Sequence, residues 1–161
     1  MCPMRRIGIA LLTLTLVFTL TACGAGFNAS TREVKQVTDG AEASITTKGN
    51  LIKLLNMVVV ETADGAGVLV GTVINTLPAE DALLGVSING VVATVTGRNS
   101  LPQNSPIHFE GDSANAKAIL PGLNAKAGQH VSVTMFFARA GEVTVLAIIR
   151  DQRGDFAGVI A

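Results

Sequence analysis

Val131-Ser132-Val133-Thr134-Met135-Phe136-Phe137, a short break, then Gly141-Glu142-Val143-Thr144-Val145-Leu146-Ala147-Ile148-Ile149: the reading of this stretch decides the fold. Val131, Val133, Met135 and Phe137 alternate with Ser132, Thr134 and Phe136. Val143, Val145, Ala147 and Ile149 resume the same period of two after an Ala140-Gly141 turn. Successive side chains of a strand point to opposite faces, so the pattern predicts a β-hairpin with one face on a core.

Working outward, the chain from about Ile45 is a series of short runs rich in Val, Ile and Thr, punctuated by Gly, Asn, Asp and Pro. That composition predicts strands at Leu54 to Thr62, Gly67 to Thr76, Leu83 to Asn89, Val91 to Thr96, Ile107 to Glu110, Ala116 to Leu120, Val131 to Ala138 and Val143 to Arg150. Asn89-Gly90 is suited to a tight hairpin turn, because both residues tolerate positive φ. Seven or eight strands in about 110 residues predict an all-β sandwich domain over 45–161. The end, Asp151 to Ala161, reads either as a mobile tail or as a short strand formed by Phe156 and Val159-Ile160.

The N-terminal third has another character. Arg5 and Arg6 precede an uncharged run from Ile7 to Leu20, and Leu20-Thr21-Ala22-Cys23 follows. The run is shorter than the ~20 residues that span a bilayer, and small residues follow it, as in a signal peptide. Leu-Thr-Ala-Cys resembles the bacterial lipobox, which implies cleavage after residue 22 and acylation of Cys23, an anchor of several acyl chains. Residues 23–44, built of Gly, Ala, Ser, Thr and scattered charges, read as a flexible spacer.

Composition removes several functions. Of 161 residues 48% are hydrophobic and 15% charged, which excludes intrinsic disorder, and 12 Lys+Arg balance 12 Asp+Glu, which gives no electrostatic basis for binding nucleic acid. Loss of 1–22 takes Arg5 and Arg6, leaving 10 Lys+Arg against 12 Asp+Glu. It also takes Cys2, so with Cys23 acylated no thiol remains for disulfides, metal ligation or nucleophilic catalysis. His108 and His130 are the only bases of suitable unperturbed pKa, and neither sits in a nucleophile–base motif. Glu80-Asp81, Asp64 and Asp112 adjoin turns and read as turn formers. The expectation is a protein that is not an enzyme and needs no cofactor. Copper is the alternative, with His108, His130, Met135 and Met57 as its soft or borderline ligands, although in sequence they are scattered.

Three further stretches carry a resemblance. Leu120-Pro121-Gly122-Leu123, Ala127-Gly128-Gln129-His130 running into the hairpin strand, and Ala140-Gly141-Glu142-Val143-Thr144-Val145 resemble the PCu(A)C copper-chaperone family. Gly71-Thr72-Val73-Ile74-Asn75-Thr76 followed by Asp81-Ala82-Leu83-Leu84-Gly85-Val86-Ser87 is similar to an earlier segment of it. The resemblance spans about 54–150 and implies a cupredoxin-like, immunoglobulin-like Greek-key sandwich exported from the cytoplasm. It also implies a His/Met copper site, with a His-x-Met just before the turn that here is Gly122-Leu123. This chain has Lys117-Ala118-Ile119 there and neither His nor Met from Gly97 to Gln103, so no family ligand carries over. The layout is most similar to the actinobacterial, LpqE-like lipoprotein branch. The expected function is a lipid-anchored, extracytoplasmic binding module that meets the membrane through the Cys23 lipid and an unknown envelope protein through its folded domain. The alternative is a Cu(I) carrier with ligands other than the family's.

Overall fold

The computed structural model describes residues 39–47 and 49–161. The strands are β1 (Ala41–Ile45), β2 (Ile52–Glu61), β3 (Gly67–Asn75), β4 (Asp81–Ile88), β5 (Val91–Val92), β6 (Thr94–Gly97), β7 (Ser100–Leu101), β8 (Ile107–Phe109), β9 (Ala116–Leu120), β10 (His130–Phe137) and β11 (Gly141–Asp151), with one 3₁₀ turn at Gly154–Phe156. The expected signal peptide, Cys23 and all but the end of the expected spacer lie outside the described residues.

The hairpin of β10 and β11 forms in the expected register, Val133 opposite Val145 and Met135 opposite Val143. Around it the strand order is β5-β4-β10-β11-β2-β3-β8-β9-β6, with β1 on β2 and β7 on β4. The two ends of that path, β5 and β6, are joined through Ala93 alone, so the sheet curls round into a nearly closed sandwich. Inside lie Ile52, Leu54, Met57, Leu69, Ile88, Ile107, Phe109, Met135 and Ile149, all buried. The fold is all-β, as the alternation predicts.

One edge of β2 serves two partners. Its first half pairs antiparallel with β1, Ile45 opposite Ile52, and its second half pairs parallel with β11, Ile148 opposite Val58. Between the halves β2 carries one residue more than β3, since Leu55 faces Thr72 but Val58 faces Val70. Asn56 takes φ 54° in this bulge, and the inward phase moves from Leu54 to Met57 and Val59. Gly71 lies against the bulge at φ +147°, where a Cβ would come 2.6 Å from Met57 Cε and 3.0 Å from the Asn56 carbonyl oxygen. Glycine is what lets the two strands close there.

Three sequence expectations need correction. The spacer gives way to strand at Ala41, before Ser44, because β1 finds backbone partners on β2 that its Ala- and Ser-rich sequence does not announce. The single strand expected over Val91 to Thr96 is two, since β5 pairs with β4 and β6 with β9. The C-terminal residues are folded, but not as a strand: after the 3₁₀ turn Val159 is buried with Val58, Val60 and Val68, and Phe156 packs beside them. This second apolar cluster lies on the outer face of the sheet, which explains why Met57 to Val60 are buried without alternation. Asn89 and Gly90 both have positive φ, 50° and 77°, as the hairpin turn requires.

Candidate functional site

The four residues that could have formed a soft-metal site are divided between the two faces of the sheet. Met57 and Met135 are buried in the core. His108, between the buried Ile107 and Phe109, points outward, its Nδ1 3.0 Å from Thr72 Oγ1. His130 is exposed at the start of β10, opposite Ile148. Along the sheet, β11, β2 and β3 stand between β10 and β8. Metal–nitrogen and metal–sulfur bonds of roughly 2 Å cannot join these side chains on one ion. Among the described residues no group of three or more His, Cys, Asp or Glu is placed to hold a metal.

The segment that the resemblance sets against the family's His-x-Met is β9. Ala116, Ala118 and Leu120 point into the core, and Lys117 and Ile119 face outward. Lys117 Nζ stands 3.2 Å from Glu110 Oε1 and donates to the Ile160 carbonyl at 2.7 Å. Ile119 packs with the cluster that Val159 and Phe156 complete. An ammonium group therefore occupies the position where the resemblance puts a soft ligand, and the C-terminal residues lie over it. In the segment from Gly97 to Gln103, Arg98 donates to Ser105 Oγ at 2.7 Å and to the Ser100 carbonyl at 3.2 Å. A fixed cation repels a copper ion and neither group is a soft donor, so the residues present do not fit the metal.

The acidic residues hold loops. Buried Asp81 accepts the backbone amides of Ala82, Arg139 and Ala140 at 2.8–2.9 Å. Thr62 Oγ1 donates to Asp64 in the β2–β3 turn, and this bond holds the Asp64 carboxyl below its ordinary range. Lys126 and the amide of Ala127 both donate to Glu61, tying the loop before β10 to β2. The Lys126 bond is the larger cause of the lowered Glu61 pKa, with the Ala127 amide second. Asn75, buried, donates to the carbonyls of Ala79 and Leu101 and accepts from the amide of Leu77. Sequence reading took Asp64, Glu80-Asp81 and Asp112 for turn formers, and Asp81 is instead the buried first residue of β4. It missed the reach of Asp81 to the distant β10–β11 turn, which no local pattern signals.

A cupredoxin-like sandwich with this strand order defines a class, and solved structures place the chain within it. An apo PCuAC domain from PmoF1 superposes with a TM-score of 0.57 at 20% identity, covering 69% of this chain and 99% of that one. A copper-bound PCuAC domain from PmoF2 gives 0.56 at 21%, covering 69% and 98%. The apo PCuAC domain from PmoF2 gives 0.53 at 20%, covering 64% and 92%. The fold of this chain is that of a PCuAC domain. No protein-family profile matches the sequence, and no curated protein matches it.

Proposed function

We propose that this chain is an envelope lipoprotein, held by lipid on Cys23 at the outer face of the cytoplasmic membrane, in which a PCuAC fold serves as a non-enzymatic binding module. The actinobacterial lipoprotein branch is the group whose layout it matches. One observation carries the reading: Lys117 stands, paired to Glu110 and capped by Ile160, where the resemblance would put a copper ligand. The sandwich has kept its shape while the position that would give it copper chemistry is filled by a cation. With His108 and His130 outward and Met57 and Met135 in the core, the alternative of a Cu(I) carrier lacks a ligand set that converges.

Expression in a lipidating bacterium tests the anchoring. The parent is expected in the membrane fraction with an acylated Cys23 by mass spectrometry, and Cys23→Ala in the soluble fraction. An unacylated parent that fractionates like Cys23→Ala would overturn it.

A further inference from the structure

The outer face formed by β5, β4, β10 and β11 sets exposed apolar side chains around a row of serine and threonine, and its one charged strand residue on β10 and β11 between Ser132 and Leu146, Glu142, stands opposite Phe136. Across it run Val92 opposite Ser87, Ser87 opposite Thr134 and Thr134 opposite Thr144, whose hydroxyls bond to each other at 2.8 Å. Phe136 lies on one side of this row and Leu146 on the other. β4 carries one residue more than β10 between Leu83 and Gly85, and the extra residue, Leu84, turns to solvent beside Phe136. Leu84, Val92 and Leu146 are 68%, 77% and 65% exposed. Of the outward residues of β10 and β11 from Ser132 to Leu146, Glu142 alone is charged.

The described chain begins near this face. The described chain begins at Asp39, whose carboxylate pairs with Arg150, and Arg150 is on the same outward row of β11 as Leu146, four residues or ~13 Å away. From Cys23 to Asp39 the chain can span at most about 58 Å. A domain confined to a hemisphere of that radius meets the bilayer at an effective concentration of ~4 mM. A face with only weak affinity for lipid is then docked most of the time.

We infer that this face is a membrane-docking surface: the sheet lies against the headgroup–acyl boundary with Leu84, Val92, Phe136 and Leu146 in contact with lipid. The inference rests on the anchoring of Cys23 proposed above. A second copy is the less favoured occupant. Four strands, one of them the two-residue β5, cover at most ~400 Å² per partner, half of what a stable interface buries. The bulge turns Leu83 and Asp81 inward and in doing so leaves Leu84 on the outer face.

The test uses the lipidated mature chain in vesicles of phosphatidylglycerol and phosphatidylethanolamine. Its acylated Cys23 leaves no free thiol, so single cysteines at Leu146→Cys, Val92→Cys and, as a control in the β8–β9 loop, Asp112→Cys take one bimane each. Lipid-borne doxyl groups are expected to quench the first two by at least roughly twofold, as for residues ~5–10 Å deep at the interface, and to leave the third unchanged. Leu84→Ser combined with Phe136→Ser is expected to abolish the quenching at Leu146→Cys while the chain stays in the vesicle fraction. Equal quenching at all three sites, or none, with Cys23 acylated would overturn the docking alone. Bismaleimide dimers through Leu146→Cys with no quenching would show a second copy on the face and overturn it too. An unacylated Cys23 overturns the anchoring reading, and the docking falls with it.

Discussion

Asp81 reaches from β4 to the turn that ends the neighbouring β10, its Oδ1 accepting the amide of Arg139 and its Oδ2 that of Ala140, each at 2.9 Å. The Arg139 guanidinium returns to the Ala79 carbonyl at 2.9 Å. One buried carboxylate thus joins the start of β4 to the hairpin from which the fold was read. Asp81→Ala strands these amides, and the expected loss is ~3 kcal/mol in urea unfolding. Asp81→Asn keeps one carbonyl acceptor and is expected to lose about half as much. An unchanged midpoint in Asp81→Ala would remove the carboxylate from this role.

Gly71→Ala places a methyl group against Met57 and the Asn56 carbonyl. Overpacking of this kind, added to a φ that L-residues rarely adopt, is expected to cost about 2–3 kcal/mol. Met57→Ala alone opens a cavity and also destabilises. The double variant is expected to be more stable than the sum of the two predicts, because the truncated methionine makes room for the methyl group. Simple additivity in denaturant titrations would show that the strain lies in the backbone alone.

Acid stability follows from Glu61 and Asp64. Both carboxyls titrate below their ordinary values of 4.5 and 3.8, Glu61 through Lys126 first and Asp64 through Thr62 first. A carboxyl depressed in the folded state contributes stability that is present above its unfolded pKa and is lost as pH falls through the folded one. Unfolding midpoints are therefore expected to hold near neutrality and to fall below about pH 4.5, with a smaller fall in a Glu61→Gln, Asp64→Asn variant. Asp64 is exposed and Lys126, the partner of half-buried Glu61, is exposed too, so the effect is modest and shrinks in salt.

The C-terminal residues cover part of the sheet. Val159→Ser places a hydroxyl among Val58, Val60 and Val68 and is expected to cost about 2 kcal/mol. Removal of residues 154–161 is expected to raise binding of an apolar dye and to speed amide exchange in β2 and β3. Parent-like exchange in the truncated chain would mean that the outer cluster needs no cover.

Where a period of two ran unbroken, as from Val131 to Phe137, sequence was enough to place each side chain on its face. Asn89-Gly90 likewise carries its turn in its own φ preferences. The bulge at Asn56 was not legible, because an extra residue in β2 is defined only against β3, and it decides that Met57 points inward. Nor was the break at Ala93, since the change of partner from β4 to β9 is a property of the whole sheet. β7, two residues long, has no period to read. At the candidate site, the absence of ligands from Lys117 to Ile119 was plain in the sequence. The pairing of Lys117 with Glu110 and Ile160 was not, because it needs three segments that only the folded chain brings together.

The most direct measurement is Cu(I) competition against a calibrated chelator, with the mature chain, His108→Ala and His130→Ala side by side. The account expects the chelator to keep its copper in all three. One copper taken per parent chain, and lost in both variants, would contradict it.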